Sequence, residues 1–199
     1  TSYTLLPTNA LGCLPRTNAF TADASIANGA RPDDYTGTGF DRGHVAPDGD
    51  MSFIERAELE SFLMTNMMPQ SGSLNRGIWK LLETSIRGWS VQLNNSFTIY
   101  AGPIYDHTSK TIGNGVVVPN AFYKIITNNQ TGEVAGWLFP HSNTLGSDLT
   151  KLRASVEQIE TASGVRFSFP DNAVEIVPGK EWPVNFGKLT ASKRAACKR

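Results

Sequence analysis

Gly39-Phe40-Asp41-Arg42-Gly43-His44-Val45-Ala46-Pro47 is the stretch on which the reading of this chain turns. It sets an acid, a guanidinium, a glycine and an imidazole side by side. Histidine has the side-chain pKa nearest neutrality, so His44 can take a proton at working pH. Arg42 supplies a fork for a phosphate, and Gly43 permits close approach of backbone or ligand. A loop ion pair between Asp41 and Arg42, beside an incidental histidine, explains the same four residues about as well. The decision rests on what surrounds them.

Phe40 to Ala46 reads as a short strand, and Pro47-Asp48-Gly49-Asp50 has turn chemistry. Ser52 and Glu55 stand at capping-box spacing, which predicts a helix with Leu59, Phe62 and Leu63 on its apolar face. Met67-Met68-Pro69 should end it, with Gln70-Ser71-Gly72-Ser73 as a loop. Asn75, a favoured cap, then opens a second helix to about Trp89. Ile78, Leu82, Ile86 and Trp89 form its buried stripe. At about 100° per residue Glu83 falls ~80° from Asn75, with Arg76, Lys80 and Arg87 on the same flank. Glu83 and Arg87 also stand four apart, the spacing of an ordinary surface ion pair.

Beyond this, Phe97–Pro103, Ala121–Thr127 and Glu133–Phe139 read as strands, the last two joined by a hairpin turn at Asn128-Asn129-Gln130-Thr131-Gly132. Ser147–Ser163 reads as an amphipathic helix, with Leu149, Leu152, Val156 and Ile159 inward and Gly164 as its stop. Val165–Phe169 and Val174–Val177 are expected to be short strands. Residues 1–36 show no periodicity and read as loop or extended chain. With no linker or repeat, one α+β domain over residues 1–199 is the economical answer.

The chain has 18 Lys plus Arg and 18 Asp plus Glu, so its net charge is zero. That excludes a whole-protein basic field but not a local basic groove. Lys188, Lys193, Arg194, Lys198 and Arg199 crowd the C-terminus without an acid. A solvated, partly frayed end is the favoured reading of that tail, and a non-specific phosphate contact the functional one. No apolar run is long enough to span a membrane. Cys13 and Cys197 lack metal-ligand spacing. A disulfide joining the two ends, and two buried thiols, stand as about equal alternatives. The chain begins at Thr1 without a signal-peptide pattern, which fits a processed protein, expected to be secreted or periplasmic, or a trimmed piece of a longer chain. His107 and His141 lie in turn-like contexts and read as surface or packing histidines.

Cleaving a phosphodiester with water requires a base, a divalent ion and cations that hold the backbone. His44 can be the base, Asn75 and Glu83 can organise a hard cation through oxygen, and Arg42 and Arg87 can hold phosphate. An amide oxygen is a weak ligand, which suits an ion that keeps most of its waters, as Mg²⁺ does.

Three ordered blocks carry a resemblance: Asp41-Arg42-Gly43-His44, Thr65-Asn66-Met67-Met68-Pro69-Gln70, and Leu74-Asn75-Arg76-Gly77-Ile78-Trp79-Lys80-Leu81-Leu82-Glu83. Tyr100-Ala101-Gly102-Pro103 and Val118-Pro119-Asn120-Ala121-Phe122-Tyr123-Lys124 add to it. Over roughly residues 37–140 the chain resembles the DNA/RNA non-specific endonucleases, the DRGH group of ββα-metal (His-Me finger) nucleases. The resemblance implies an α+β fold with a central antiparallel sheet flanked by helices. It implies a Mg²⁺-dependent enzyme, with Mn²⁺ able to substitute, that cuts DNA and RNA without sequence preference and leaves 5′-phosphates. His44 would be the general base and Asn75 the direct metal ligand, with Glu83 anchoring metal-bound water. Arg42 and Arg87 would hold the phosphate. Asn66 would orient His44, Gln70 would line the cleft, and Arg16 is the candidate by spacing for an upstream substrate-binding arginine. Asp41 would orient the turn. A catalytically weak nucleic-acid-binding module on the same fold is the alternative, and a small-phosphodiester hydrolase a third. The roles open to such a nuclease include nutrient scavenging and an antibacterial effector neutralised by an inhibitor protein.

Overall fold

A computed structural model describes residues 1–198. Its frame is a six-stranded sheet in the order β1-β4-β7-β8-β10, with β9 also paired to β8. The strands are β1 (Ser2–Leu5), β4 (Phe97–Ile104), β7 (Ala121–Asn128), β8 (Glu133–Pro140), β9 (Arg153–Ala154) and β10 (Val174–Glu175). All neighbours run antiparallel except the short β10, which is parallel to β8. Apolar residues recur along β4, β7 and β8 on both faces, as a sheet covered on both sides requires. Trp79, Leu82, Ile86 and Trp89 cover one face, against Phe97, Ile99, Phe122, Trp137 and Phe139. Ile159, Phe167 and Phe169 cover the other, against Tyr123, Ile125 and Val134.

The DRGH residues lie on β2 (Phe40–His44), outside this sheet. Its partner is β3 (Met67–Ser71), with Asp41 opposite Gln70 and His44 opposite Met67. Here the first expected helix is present but shorter and without the expected cap. The helix α3 is only Glu55–Ser61, its N-terminus has no side-chain cap, and the Ser52 hydroxyl bonds Gly49 O instead. Met67–Ser71 is a strand rather than a helix stop and loop, because β2 needs a partner for its backbone groups. Pro69 is tolerated since both strands of a two-stranded ribbon are edges. Pro47–Asp50, expected as a turn, leads into the short helix α2 (Asp48–Met51).

The second helix is longer than expected. It begins as a π-helical segment, Leu74–Trp79, and continues as α4 (Lys80–Leu93), ending at the left-handed Asn94. Asn75 therefore sits inside the π segment and not at a cap. Gly77 breaks the helical dihedrals there (φ −100°, ψ −113°).

The helix expected over 147–163 is divided into a 3₁₀ turn, Leu149–Leu152, strand β9, and α5 (Val156–Ser163). Arg153 forces the break. Its guanidinium reaches Gly136 O, Ile176 O and Glu181 and lies over the Trp137 ring, with its backbone paired to Trp137 in strand β9 instead of a helix. Ser155 and Gln158 cap α5 and Gly164 ends it in the left-handed conformation. Residues 165–169 form no strand, and only Val174–Glu175 remains of the last one.

The two ends depart furthest from expectation. In the region expected to be loop or extended chain, β1 is extended, while the short helix α1 (Pro7–Ala10) and a 3₁₀ turn at Pro32–Tyr35 were not expected. The tail is helix α6 (Phe186–Ala196), packed on α4, where a frayed end was expected. Cys13 and Cys197 form a disulfide that ties it down. Arg199, counted with the basic tail, lies outside the described residues.

Candidate active site

β2, the loop to α2, the π segment and α4 surround a cleft of about 330 Å³. Arg16, Arg42, His44, Asn75, Arg76, Lys80, Glu83 and Arg87 line it. Residues up to 71 positions apart in sequence, Arg16 and Arg87, share one wall.

His44 closes β2, and its imidazole stands edge-on to Phe62 and Phe20, with ring centroids 4.9 and 5.8 Å away. Nε2 is buried without a hydrogen-bond partner, which leaves Nδ1 as the nitrogen on the cleft side. Burial, reinforced by the Arg16 charge and opposed by Asp48, lowers the His44 pKa to about 4. The free imidazole is thus neutral at working pH. Two buried groups fix the main chain at this point. Trp79 Nε1 donates to His44 O at 3.2 Å and Lys124 Nζ donates to Val45 O at 3.1 Å. Asn66 clamps the next residue, accepting from Ala46 N and donating to Ala46 O and Ser61 O. It therefore braces the backbone after His44 and makes no hydrogen bond to the imidazole.

Asp41 holds Asn75, accepting from Nδ2 at 2.9 Å, with Arg76 3.5 Å away. This leaves Asn75 Oδ1 without a hydrogen bond to any described residue. Glu83 is buried on the cleft floor, with Oε1 3.8 Å from Lys124 Nζ and no hydrogen-bond partner. Burial pushes its carboxyl up to about 7, against the pull of Lys124 and Arg87. Lys124 is fully buried and lies over the Trp79 ring at 4.2 Å; burial pushes its ammonium down and Glu83 opposes this. Glu83 and Arg87 do not pair on the surface: Arg87 binds Asp50 at 2.7 Å, and Tyr3 donates to the other Asp50 oxygen at 2.7 Å.

An amide oxygen left without a partner and an orphaned carboxylate oxygen in one cleft are hard donors that fit a divalent ion completed by water. Among the described residues no group of three or more His, Cys, Asp or Glu could hold a metal, so such a site would lean on the amide.

Arg42 lines the cleft while two of its N–H groups bind Pro32 O, and its guanidinium lies 5.2 Å from the Phe20 ring. Arg16 bonds Asp48 and Asn18 and stacks over Phe62 at 4.8 Å. Gln70 is not on the cleft. It is buried beneath β2, where a Cβ on Gly43 would collide with its side chain. That contact, rather than ligand approach, accounts for the glycine. His141 is a packing residue that accepts from Ser71 N and donates to Pro119 O.

Sequence reasoning missed Lys124, Phe20, Asp48 and Asp50. One signal was available: Ala121-Phe122-Tyr123-Lys124-Ile125-Ile126 is an apolar strand with a single lysine on the face of Phe122 and Ile126, and a lysine there needs a buried partner.

The family model for DNA/RNA non-specific endonuclease matches residues 5–175. The mitochondrial nuclease 1 of Schizosaccharomyces pombe is 33% identical over 159 residues, covering 68% of this chain and 48% of that protein. A nuclease of Nostoc sp. is 32% identical over 173 residues, covering 79% and 62%. The chain thus spans about half to three-fifths of the length of these relatives. In fold it is similar to the crystal structure of EndoG in complex with EndoGI, with TM-score 0.78 and 24% identity over 90% of this chain and 82% of that one.

Proposed function

The chain belongs to the DNA/RNA non-specific endonuclease family, and from that membership we propose that it hydrolyses phosphodiester bonds in DNA and RNA, with Mg²⁺ as its ion and 5′-phosphates as products. The observation that carries the reading is the convergence of His44, Asn75, Glu83 and four arginines on one cleft.

His44 Nδ1 takes a proton from the attacking water. Its pKa near 4 makes it a weak base in the free protein. An anionic phosphodiester beside it raises that value, so the base strengthens as substrate binds. Arg42 and Arg87 hold the phosphate oxygens, and Arg16 extends the grip towards Phe62. Asn75 Oδ1 would hold the ion directly, with its amide fixed by Asp41, and Glu83 would accept hydrogen bonds from the ion's waters. When bound, the ion supplies charge stabilisation at the phosphate and the leaving oxygen. Residues that hold phosphate carry no base information, which supports cleavage without sequence preference. Attack by external water needs no 2′-hydroxyl, which supports action on both DNA and RNA.

The disulfide supports an oxidising, secreted or periplasmic setting. EndoG is the inhibited partner in the EndoG/EndoGI complex, which makes an inhibitor protein a reasonable partner for this chain as well.

Supercoiled plasmid with wild type and His44→Ala, each in Mg²⁺ or EDTA, tests the proposal. Wild type with Mg²⁺ should cut, and His44→Ala should lose about 10²–10⁴-fold. Equal cutting by His44→Ala would remove the base assignment. Binding without cutting under any divalent ion would favour the nucleic-acid-binding module.

A further inference from the structure

The basic C-terminal run has no part in the chemistry above, and α6 lies beyond the residues that the family model matches. Lys188, Lys193, Arg194 and Lys198 have no ion-pair partner among the described residues, whereas Arg16 and Arg87 are paired with Asp48 and Asp50. Arg87 is also a wall of a second groove, about 400 Å³ between α4 and α6, whose other lining includes Thr84, Leu189, Thr190, Lys193 and Arg194. The cleft and this groove therefore share Arg87 as a wall.

We propose that α6 forms a second binding track for a nucleic-acid backbone, extending the cleft past Arg87 with Lys193 and Arg194 as its first phosphate contacts. The inference rests on the proposed nuclease reading and adds to it where a longer substrate lies. A groove that tracks a backbone needs cations of one sign on a fixed mount. The mount is present. Leu189 is buried, Asn185 caps the helix and exchanges two hydrogen bonds with Gln92, and Val184 packs closely on Gly88. The Cys13–Cys197 disulfide holds the other end. No acidic residue interrupts α6. Lys193 is half-buried and lines this groove with Arg87; burial and the Arg87 charge push its ammonium down, and Asp48 and Asp50 oppose this. Cations in the last turn also favour the helix C-terminus, but the helix dipole does not require them to face Arg87.

The test measures binding of a fluorescent 30-base-pair duplex by anisotropy in EDTA, between 50 and 200 mM salt, for wild type and for Lys193→Gln/Arg194→Gln. Each lost phosphate contact should flatten the salt slope by about 0.9. Over that fourfold rise in salt, the wild type should lose about tenfold more affinity than the double variant. With Mg²⁺, KM for long DNA should rise while kcat holds. Lys193→Arg/Arg194→Lys should restore the wild-type slope, and Lys151→Gln/Lys180→Gln, with the same charge change elsewhere, should keep it. Equal slopes for wild type and the double variant would overturn the track, whether or not DNA is cut. A wild type that binds in EDTA yet never cuts would overturn the nuclease reading and leave the track standing on its slope. Failure of the wild type to bind duplex would overturn both.

Discussion

The floor of the cleft and its rim handle charge in opposite ways. On the floor, made largely by residues 40–93 with Lys124 behind it, charges are buried in pairs: Glu83 with Lys124 and Arg87 with Asp50. On the rim, taken as α6 beside the groove that shares Arg87 with the cleft, Arg194 and Lys188 stand in water. A buried pair holds its geometry but is costly to break, since removing one partner strands the other in a medium of low polarity. An exposed cation costs little to keep and little to lose. The floor is thus suited to positioning reacting groups, and the rim to attracting a polyanion of any sequence.

Breaking the floor should give the largest effect. Lys124→Met leaves Glu83 buried without its cation and also removes the donor to Val45 O. A loss of about 3–5 kcal/mol in urea unfolding is expected. A loss under 1 kcal/mol would mean that the pair contributes no more than a surface bridge.

The rim depends on its staple. Cys13→Ser/Cys197→Ser should cost about 2–5 kcal/mol and raise amide exchange in α6 before α4. Simultaneous exchange of both helices would show that α6 is held by packing alone.

Asp41 joins floor to site without touching the cleft's phosphate arginines. Asp41→Ala frees the Asn75 amide to rotate. Loss of such a supporting hydrogen bond should weaken Mn²⁺ binding, followed by its spin-resonance signal, about 10–100-fold. Unchanged affinity would remove Asn75 from the proposed metal site.

The smallest effect sharpens the electrostatics of the floor. Glu83 is raised from 4.5 to about 7, so the folded state holds its proton more tightly, and the resulting stability is lost as pH rises through that window. His44 is lowered from 6.5 to about 4, so its contribution is present above 6.5 and lost as pH falls towards 4. The two slopes oppose each other between 4.5 and 6.5 and flatten the profile. In EDTA, Glu83→Gln should make stability rise more steeply with pH across that range, read from urea midpoints at pH 5 and pH 6.5. An unchanged slope would mean that Glu83 titrates normally.

Much of the floor was legible because it is local. Glu83 and Arg87 lie along α4, where a fixed angle per residue places side chains whatever the rest of the chain does, while Asn75 comes from the π segment across the Gly77 break. The strand at Phe40–His44 and the long strands β4, β7 and β8 announce themselves by apolar runs and turn residues. Misplaced elements were those that a distant partner decided. Met67–Ser71 became a strand because β2 offered it a ladder. The helix expected to span 147–163 broke where Arg153 found Gly136 O, Ile176 O and Glu181. Gln70 left the cleft because the space beneath Gly43 takes its side chain.

By itself the sequence determined the chemistry available: a base on a strand, an amide and a carboxylate close along the chain, and arginines. Tertiary structure alone decided which of these groups were compensated. Lys124 reaches Glu83 across 41 positions and Asp50 reaches Arg87 across 37, and the disulfide closes 184. A charge's energy depends on its distance to other charges and on its access to water, and neither follows from its neighbours along the chain.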